Sequence, residues 1–241
     1  MTSYWVVGLW MLGSLSVGLV SAVLAKYYGK EALTAGFISL LLMSNIVAVK
    51  IVDFSRWNVP AAILIYSSTF LVTDLLTEFY GRREAQKTVL FGFYANIVMV
   101  FSIWVALSWT AAPLEGMELT QEAMQRILGL VPRIVIASMI GYLVSQNFEV
   151  LVFHFWKGRF KGKRLWLRNN LTSLITMLID TIIFIPLAFY GTLPNLVIRD
   201  LILGQYIVKL IVGMIDTAFI YAVHDLYKRL PEIPPIRLPF S

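Results

Sequence analysis

Residues 88–109 read TVLFGFYANIVMVFSIWVALSW, twenty-two consecutive positions without a charged side chain. A helix needs about 20 mostly apolar residues to cross the hydrocarbon of a bilayer, and this stretch supplies them. Working outward, comparable runs occur at about 5–24, 32–52, 60–77, 134–155, 171–189 and 201–223. The composition agrees: 59% of the 241 residues are hydrophobic and 14% charged, where a soluble domain carries roughly a quarter charged residues. The reading is an all-α integral membrane protein, a bundle of seven transmembrane helices set in a lipid bilayer, with no separate soluble domain. The first run leads directly into further spans and shows no small-residue cleavage site, so no cleaved signal is expected.

The basic residues test the count of seven. The loops around Lys26 and Lys30, around Arg82, Arg83 and Lys87, the 157–168 loop and the tail hold fourteen Lys and Arg. The N-terminus and the three intervening loops hold four, namely Arg56, Arg126, Arg133 and Arg199. The alternation at each crossing would break if any segment failed to span. The positive-inside rule then places the N-terminus outside and the C-terminus in the cytoplasm, with the cell membrane as location. The net charge of +6 is accounted for by this orientation, so no nucleic-acid partner is expected. Trp5, Trp10, Trp57, Trp104, Trp109 and Trp156 cluster mostly near segment ends, as interfacial belts require.

Smaller features refine the picture. Met124, Ile127, Leu128 and Val131 share one helical face, which predicts a short amphipathic helix at the outer interface within the 110–132 connection. Ser14, Gly18 and Ala22 form a face of small side chains on the first segment, suited to close packing on a neighbouring helix or to docking a partner subunit. Pro60 and Pro132 stand near segment starts, where a missing N–H costs little; Pro186 lies inside the sixth segment and is expected to kink it.

Ionisable groups at bilayer depth are costly and mark candidate sites. Lys50, Asp74, Glu149, Asp180, Lys209 and Asp216 fall inside the apolar runs, with Glu78 at the end of the third. Asp74 and Glu78 lie one turn apart, as nearly do Gln146 and Glu149. Lys209 and Asp216 are two turns apart, too far to pair within one helix, so Lys209 is expected to meet an acid from another helix. Asn45, Ser145, Asn169, Asn170, Thr172, Ser173 and Thr176 add polar groups. Any single one of these reads plainly as an interhelical hydrogen bond; with the carboxylates they suggest a partly hydrated cavity. Ile179-Asp180-Thr181 and Ile215-Asp216-Thr217 repeat a tripeptide, which chance explains as well as duplication does.

Several chemistries find no support. With no cysteine there is neither a disulfide nor a thiolate metal site, and no metal or cofactor is expected. His-Glu-x-x-His, Gly-x-Ser-x-Gly and the phosphate-binding Gly-x-x-x-x-Gly-Lys-Ser/Thr are absent. The local motifs of an aspartate dyad are missing too, so an enzyme is not expected. His154 and His224 read as membrane-edge residues without ligand roles.

In this setting the chain resembles the queuosine precursor transporter family, within the wider vitamin uptake transporter group. The resemblance runs from about residue 41 to 223. It rests on Ser44-Asn45-Ile46 with Lys50, Thr69-Phe70-Leu71-Val72-Thr73-Asp74 with Glu78-Phe79-Tyr80-Gly81, and Pro132-Arg133-Ile134 followed by Ala137-Ser138. Ser145-Gln146 with Glu149, Leu165-Trp166-Leu167-Arg168-Asn169 before Ser173, Asp180-Thr181 with Phe184, and Lys209 follow in order. Glu149 stands where the family usually has Asp, and many members are described with six helices. The implied division is an additional N-terminal helix and loop over 1–31, a six-helix transporter core over 32–225 and a cytoplasmic tail over 226–241.

The resemblance implies import of a 7-deazaguanine, precursor of queuosine or archaeosine in transfer RNA. It makes Asn45, Lys50, Asp74, Glu78, Gln146, Glu149, Asp180, Lys209 and Asp216 the candidate substrate-binding residues, with Asp74, Glu149, Asp180 and Lys209 at the centre. Asp74 or Asp180 would accept from the ring N–H and exocyclic amine of such a base. Asn45, Gln146 or Lys209 would donate to its carbonyl, and Phe70, Phe184 or Tyr206 would stack on its face. The alternative is a vitamin- or nucleobase-binding substrate-capture subunit of a multi-subunit uptake transporter. Solitary action, a homodimer and an energising partner all stay open, as does proton coupling.

Overall fold

Each of the seven apolar runs carries a helix in the computed structural model, which describes residues 4–54, 57–159 and 165–229. Among these residues the elements run α1 (Tyr4–Tyr28), α2 (Lys30–Val47), β1 (Ile51–Phe54), β2 (Trp57–Pro60), α3 (Ile63–Tyr80) and α4 (Arg82–Ser108). They continue with α5 (Met117–Leu128), α6 (Val131–Arg159), α7 (Leu165–Phe189) and α8 (Asn195–Arg229). Among the described residues five stretches are long and apolar enough to cross a membrane: Gly8–Tyr28, Lys30–Val47, Arg82–Ser108, Met117–Glu149 and Leu171–Phe189. The chain is therefore a predominantly helical, multi-pass membrane protein. Helix α3 falls short of the same apolarity, diluted by Ser67, Ser68, Thr69, Thr73, Asp74, Thr77 and Glu78.

The described chain divides into two compact units. One is drawn from Met1–Ala48, Ala61–Trp109 and Ile211–Ser241, the other from Val49–Pro60 and Thr110–Leu210. The expected tail lies outside the described residues from 230 onward, as do positions 160–164 of the 157–168 loop.

In the first unit, Leu15, Ala22 and Ala25 of α1 pack with Leu33, Phe37, Leu40 and Leu41 of α2 and with Leu71, Val72, Leu75 and Leu76 of α3. The small-residue face of α1 is buried inside this core. A methyl group on Gly18 would stand 2.8 Å from Leu71 Cδ2, and one on Gly36 would overlap Ser21 Oγ. Without a hydrophobic force between helices in lipid, such close backbone approach is what holds them together. Polar ties supplement it. Lys30 Nζ donates to Glu84 Oε2 at 2.7 Å, the Thr34 and Thr88 hydroxyls lie 2.9 Å apart, and Tyr80 Oη donates to the Ala25 carbonyl at 3.0 Å.

Two connections in this unit are single glycines. Gly29 joins α1 to α2 with φ 78° and ψ −168°, and Gly81 joins α3 to α4 with φ 85° and ψ 160°. That region of backbone space is essentially open to glycine alone. Each glycine follows an aromatic pair, Tyr27-Tyr28 and Phe79-Tyr80.

The second unit begins with an antiparallel hairpin, Ile51 opposite Pro60 and Phe54 opposite Trp57. This corrects the expected helical run over 32–52: α2 stops at Val47, and Lys50 stands exposed in the turn before β1 rather than inside a span. Val49, Ile51 and Val52 are β-branched and favour extended backbone, so apolar continuity there conceals a change of secondary structure. The hairpin lies against α8 at Gly204, where an added methyl would meet Trp57 Cβ at 2.7 Å and the Asn58 carbonyl at 2.8 Å.

Helices α6 and α7 form the body of this unit. Ile134 and Val135 of α6, Ile185 and Ala188 of α7, and Leu201 and Val208 of α8 are all buried. Arg133 donates from Nε to the Leu187 carbonyl at 2.8 Å and from Nη2 to the Tyr190 carbonyl at 2.6 Å. It thus supplies donors and positive charge to acceptors at the end of α7. Helix α7 continues through Pro186 to Phe189. The amphipathic α5 forms as expected, with none of its residues buried.

Candidate functional site

The chemistry of the second unit centres on one position of α7. Asp180 sits one turn beyond Thr176, whose hydroxyl turns back on its own helix at the Thr172 carbonyl, 3.0 Å away. Lys209 arrives from α8 and donates from Nζ to Asp180 Oδ2 at 2.5 Å and to Thr181 Oγ1 at 3.2 Å. Thr181 in turn donates to the Met177 carbonyl at 2.8 Å. Lys209 is 3% exposed, Asp180 8% and Thr181 fully buried. Two opposite charges taken out of water need each other and further hydrogen bonds to offset the lost solvation, and this cluster provides both.

The expectation that Lys209 meets an acid from another helix is met, and the acid is Asp180. Gly141 of α6 faces the same carboxylate: a methyl built on it would lie 3.0 Å from Asp180 Oδ1 and 3.6 Å from Phe184 Cβ. Phe184 is one turn after Asp180 on α7, and its ring stands edge-on to Phe189 with centroids 6.2 Å apart. Glu149 lies eight residues beyond Gly141, about 12 Å further along α6 by the helical rise. It accepts from Gln146 Nε2 at 3.0 Å. Tyr206 Oη donates to the Leu174 carbonyl at 3.4 Å and ties α8 to α7.

The remaining sequence candidates fall elsewhere. Asn45 belongs to the first unit, where its Nδ2 donates to Asn96 Oδ1 at 2.9 Å. Asp74 and Glu78 sit exposed on α3 of that unit. Glu78 Oε1 lies 3.4 Å from His224 Nε2, and Phe79 beside it stacks on Tyr227 with centroids 4.1 Å apart. Lys26 Nζ stands 4.8 Å from the centre of the Tyr227 ring. Phe70 packs edge-on to Tyr66. The side chains of Asp216, His154, Asn169 and Asn170 lie outside the described residues. Among the described residues no group of three or more His, Asp or Glu is placed to hold a metal ion.

Three participants escaped the sequence reading. Asn96 is a lone amide in the middle of the run quoted at the outset and was legible as such. Gly141 carries no local signal, because its importance comes from what α7 places opposite it. Thr181 stood in the repeated tripeptide and in the family motif, but its role as an acceptor from Lys209 was not foreseen.

What the second unit offers chemically is an ammonium and a carboxylate side by side, buried among helices, with an aromatic ring one turn away. Adjacent donor and acceptor of this kind match a ligand edge that itself carries an acceptor next to a donor.

Residues 60–223 match the family model described as "Putative vitamin uptake transporter". A protein of Bacillus subtilis (strain 168) named "Probable queuosine precursor transporter" is 28% identical over 218 residues, 90% of this chain and 94% of that protein. One of the same name from Haemophilus influenzae (strain ATCC 51907 / DSM 11121 / KW20 / Rd) is 27% identical over 181 residues, 73% of each chain. No solved structure matches the chain.

Proposed function

The chain belongs to this vitamin uptake transporter family, and from that premise we propose that it imports a 7-deazaguanine precursor of queuosine or archaeosine across the cell membrane. The observation that carries the choice of ligand is the buried Asp180–Lys209 pair, together with the names of the two relatives. A guanine-type edge presents a carbonyl acceptor beside a ring N–H and an exocyclic amine. Lys209 donates to the carbonyl and Asp180 accepts from the two donors, each charge keeping a partner throughout. Phe184 supplies the stacking face.

Gln146 and Glu149 extend this proposed site along α6. Lys50, in the turn that opens the second unit, is a further proposed contact; Asn45, Asp74, Glu78 and Asp216, expected from the sequence as contacts, belong to the first unit and are not assigned to this site. In the same proposal the protein has seven spans, an additional N-terminal helix over 1–31 on a six-helix core over 32–225, an outer N-terminus and a cytoplasmic tail over 226–241. The alternating loop charges support that topology.

The deciding experiment is uptake of a labelled 7-deazaguanine by the purified chain in liposomes, with Asp180→Asn and Lys209→Gln alongside. Saturable uptake lost in both folded variants supports the proposal. Normal uptake in both overturns the site, and no uptake by the unaltered chain alone favours a subunit that needs an energising partner. Topology is tested separately, since a cysteine-free chain accepts single-cysteine labelling directly. Ala112→Cys should react with an impermeant reagent from outside and Gln86→Cys only after permeabilisation.

A further inference from the structure

We infer that Gly141 is a positioning residue: the absence of a side chain there seats the Asp180 carboxylate on Lys209. The inference rests on the proposed site for its link to transport and on geometry alone for the seating itself.

Asp180 has two carboxylate oxygens with different neighbours. Oδ2 receives the Lys209 ammonium at 2.5 Å. Oδ1 turns toward α6, where the place a Cβ would occupy on Gly141 is 3.0 Å away. The Asp180 backbone carbonyl and Phe184 Cβ, each 3.6 Å from the same point, would be in ordinary contact, so Oδ1 is the one tight neighbour of this bare position of α6. A methyl at 3.0 Å from an oxygen lies inside ordinary contact distance. The carboxylate or α7 must therefore give by a few tenths of an ångström, and that movement shifts Oδ2 against a nearly fully buried ammonium.

Glycine inside a helix is normally less favourable than alanine. At this position that preference is opposed by the contact with Asp180. Small residues commonly mark close helix approach in membranes; here the residue approached is the acid of the only buried Lys–Asp pair among the described residues. That distinguishes a positioning role from packing alone.

The test is a double-mutant cycle on the full chain in detergent and in liposomes. Stability is compared for Gly141→Ala in the unaltered background and in Asp180→Ala/Lys209→Met, which removes both charges together. Gly141→Ala should lower the unfolding midpoint in the first background and leave it unchanged or raised in the second. Equal losses in both would mean ordinary packing and overturn the inference. In liposomes, Gly141→Ala should raise KM for the labelled base roughly tenfold, as loss of one charge-assisted contact does.

If the stability cycle shows coupling while Asp180→Asn transports normally, the seating stands and the proposed site fails. If Asp180→Asn abolishes uptake while Gly141→Ala leaves stability and KM unchanged, the site stands and this inference fails. Should Gly141→Ala yield no folded protein, recovery of a monodisperse species in the background lacking both charges supports the inference; failure to recover there overturns it.

Discussion

Asn45 and Asn96, 51 positions apart in the chain, join their amides at 2.9 Å between α2 and α4, and both are almost fully buried. A side-chain amide in an apolar span gains from pairing because the alternative is an unsatisfied polar group in hydrocarbon. Measured interhelical bonds of this kind average about 0.6 kcal/mol and reach about 1.7. Asn96→Ala should therefore lower stability in detergent by about 1 kcal/mol, and Asn45→Ala should add little to it. Additive losses in chemical denaturation would show that the amides act separately.

The buried ion pair of the second unit behaves differently. Lys209→Met leaves Asp180 without its cation and should cost about 3–5 kcal/mol. Replacing both residues, as Asp180→Ala/Lys209→Met, should return much of that loss, since a buried pair is often close to neutral against apolar substitutes. Unfolding midpoints of the single and double variants check this directly. A double variant no more stable than Lys209→Met would show that the pair does more than neutralise itself.

At the two single-glycine connections the backbone sets the outcome. Gly29 and Gly81 adopt φ near +80° with ψ near 180°, where any Cβ is strained by about 1–3 kcal/mol. Gly81→Ala should lose stability in that range although nothing lies within 4 Å of the new methyl. In contrast, Gly8→Ala on α1, which also meets nothing within 4 Å and has no left-handed backbone, should be neutral or slightly stabilising. Comparable thermal shifts in the two variants would refute the backbone account.

Arg133 offers a local test. Its two bonds to the Leu187 and Tyr190 carbonyls hold the end of α7, so Arg133→Met should fray that end at a cost of about 1–3 kcal/mol. Hydrogen exchange read by mass spectrometry should show faster labelling across 188–193 than in the unaltered chain. Unchanged protection there would mean the carbonyls find other donors.

Much of this architecture was readable from residue order. Apolar runs of spanning length located every long helix, and the facing of Met124, Ile127 and Leu128 located α5. The hairpin was not readable, because β1 continues the apolar pattern of α2 and period alone does not separate a short buried strand from a helix end. The aromatic-Tyr-Gly ends at Gly29 and Gly81 could have been read as stops, since each combines an interfacial ring with a residue free to take positive φ.

Membership of a membrane-embedded transporter family follows from residue order alone, because bilayer length and sequence similarity are properties of the chain taken one position at a time. The ionisable candidates were visible in the same way, as charges in apolar surroundings. Which of them meet was decided only in three dimensions. Lys209 had several acids within conceivable reach and pairs with Asp180; Asn45 spends its amide on Asn96; and Gly141, silent in sequence, lies against Asp180. Pairing depends on helix rotation and depth, and those are set by the packing of small residues across helices rather than by anything a single segment contains.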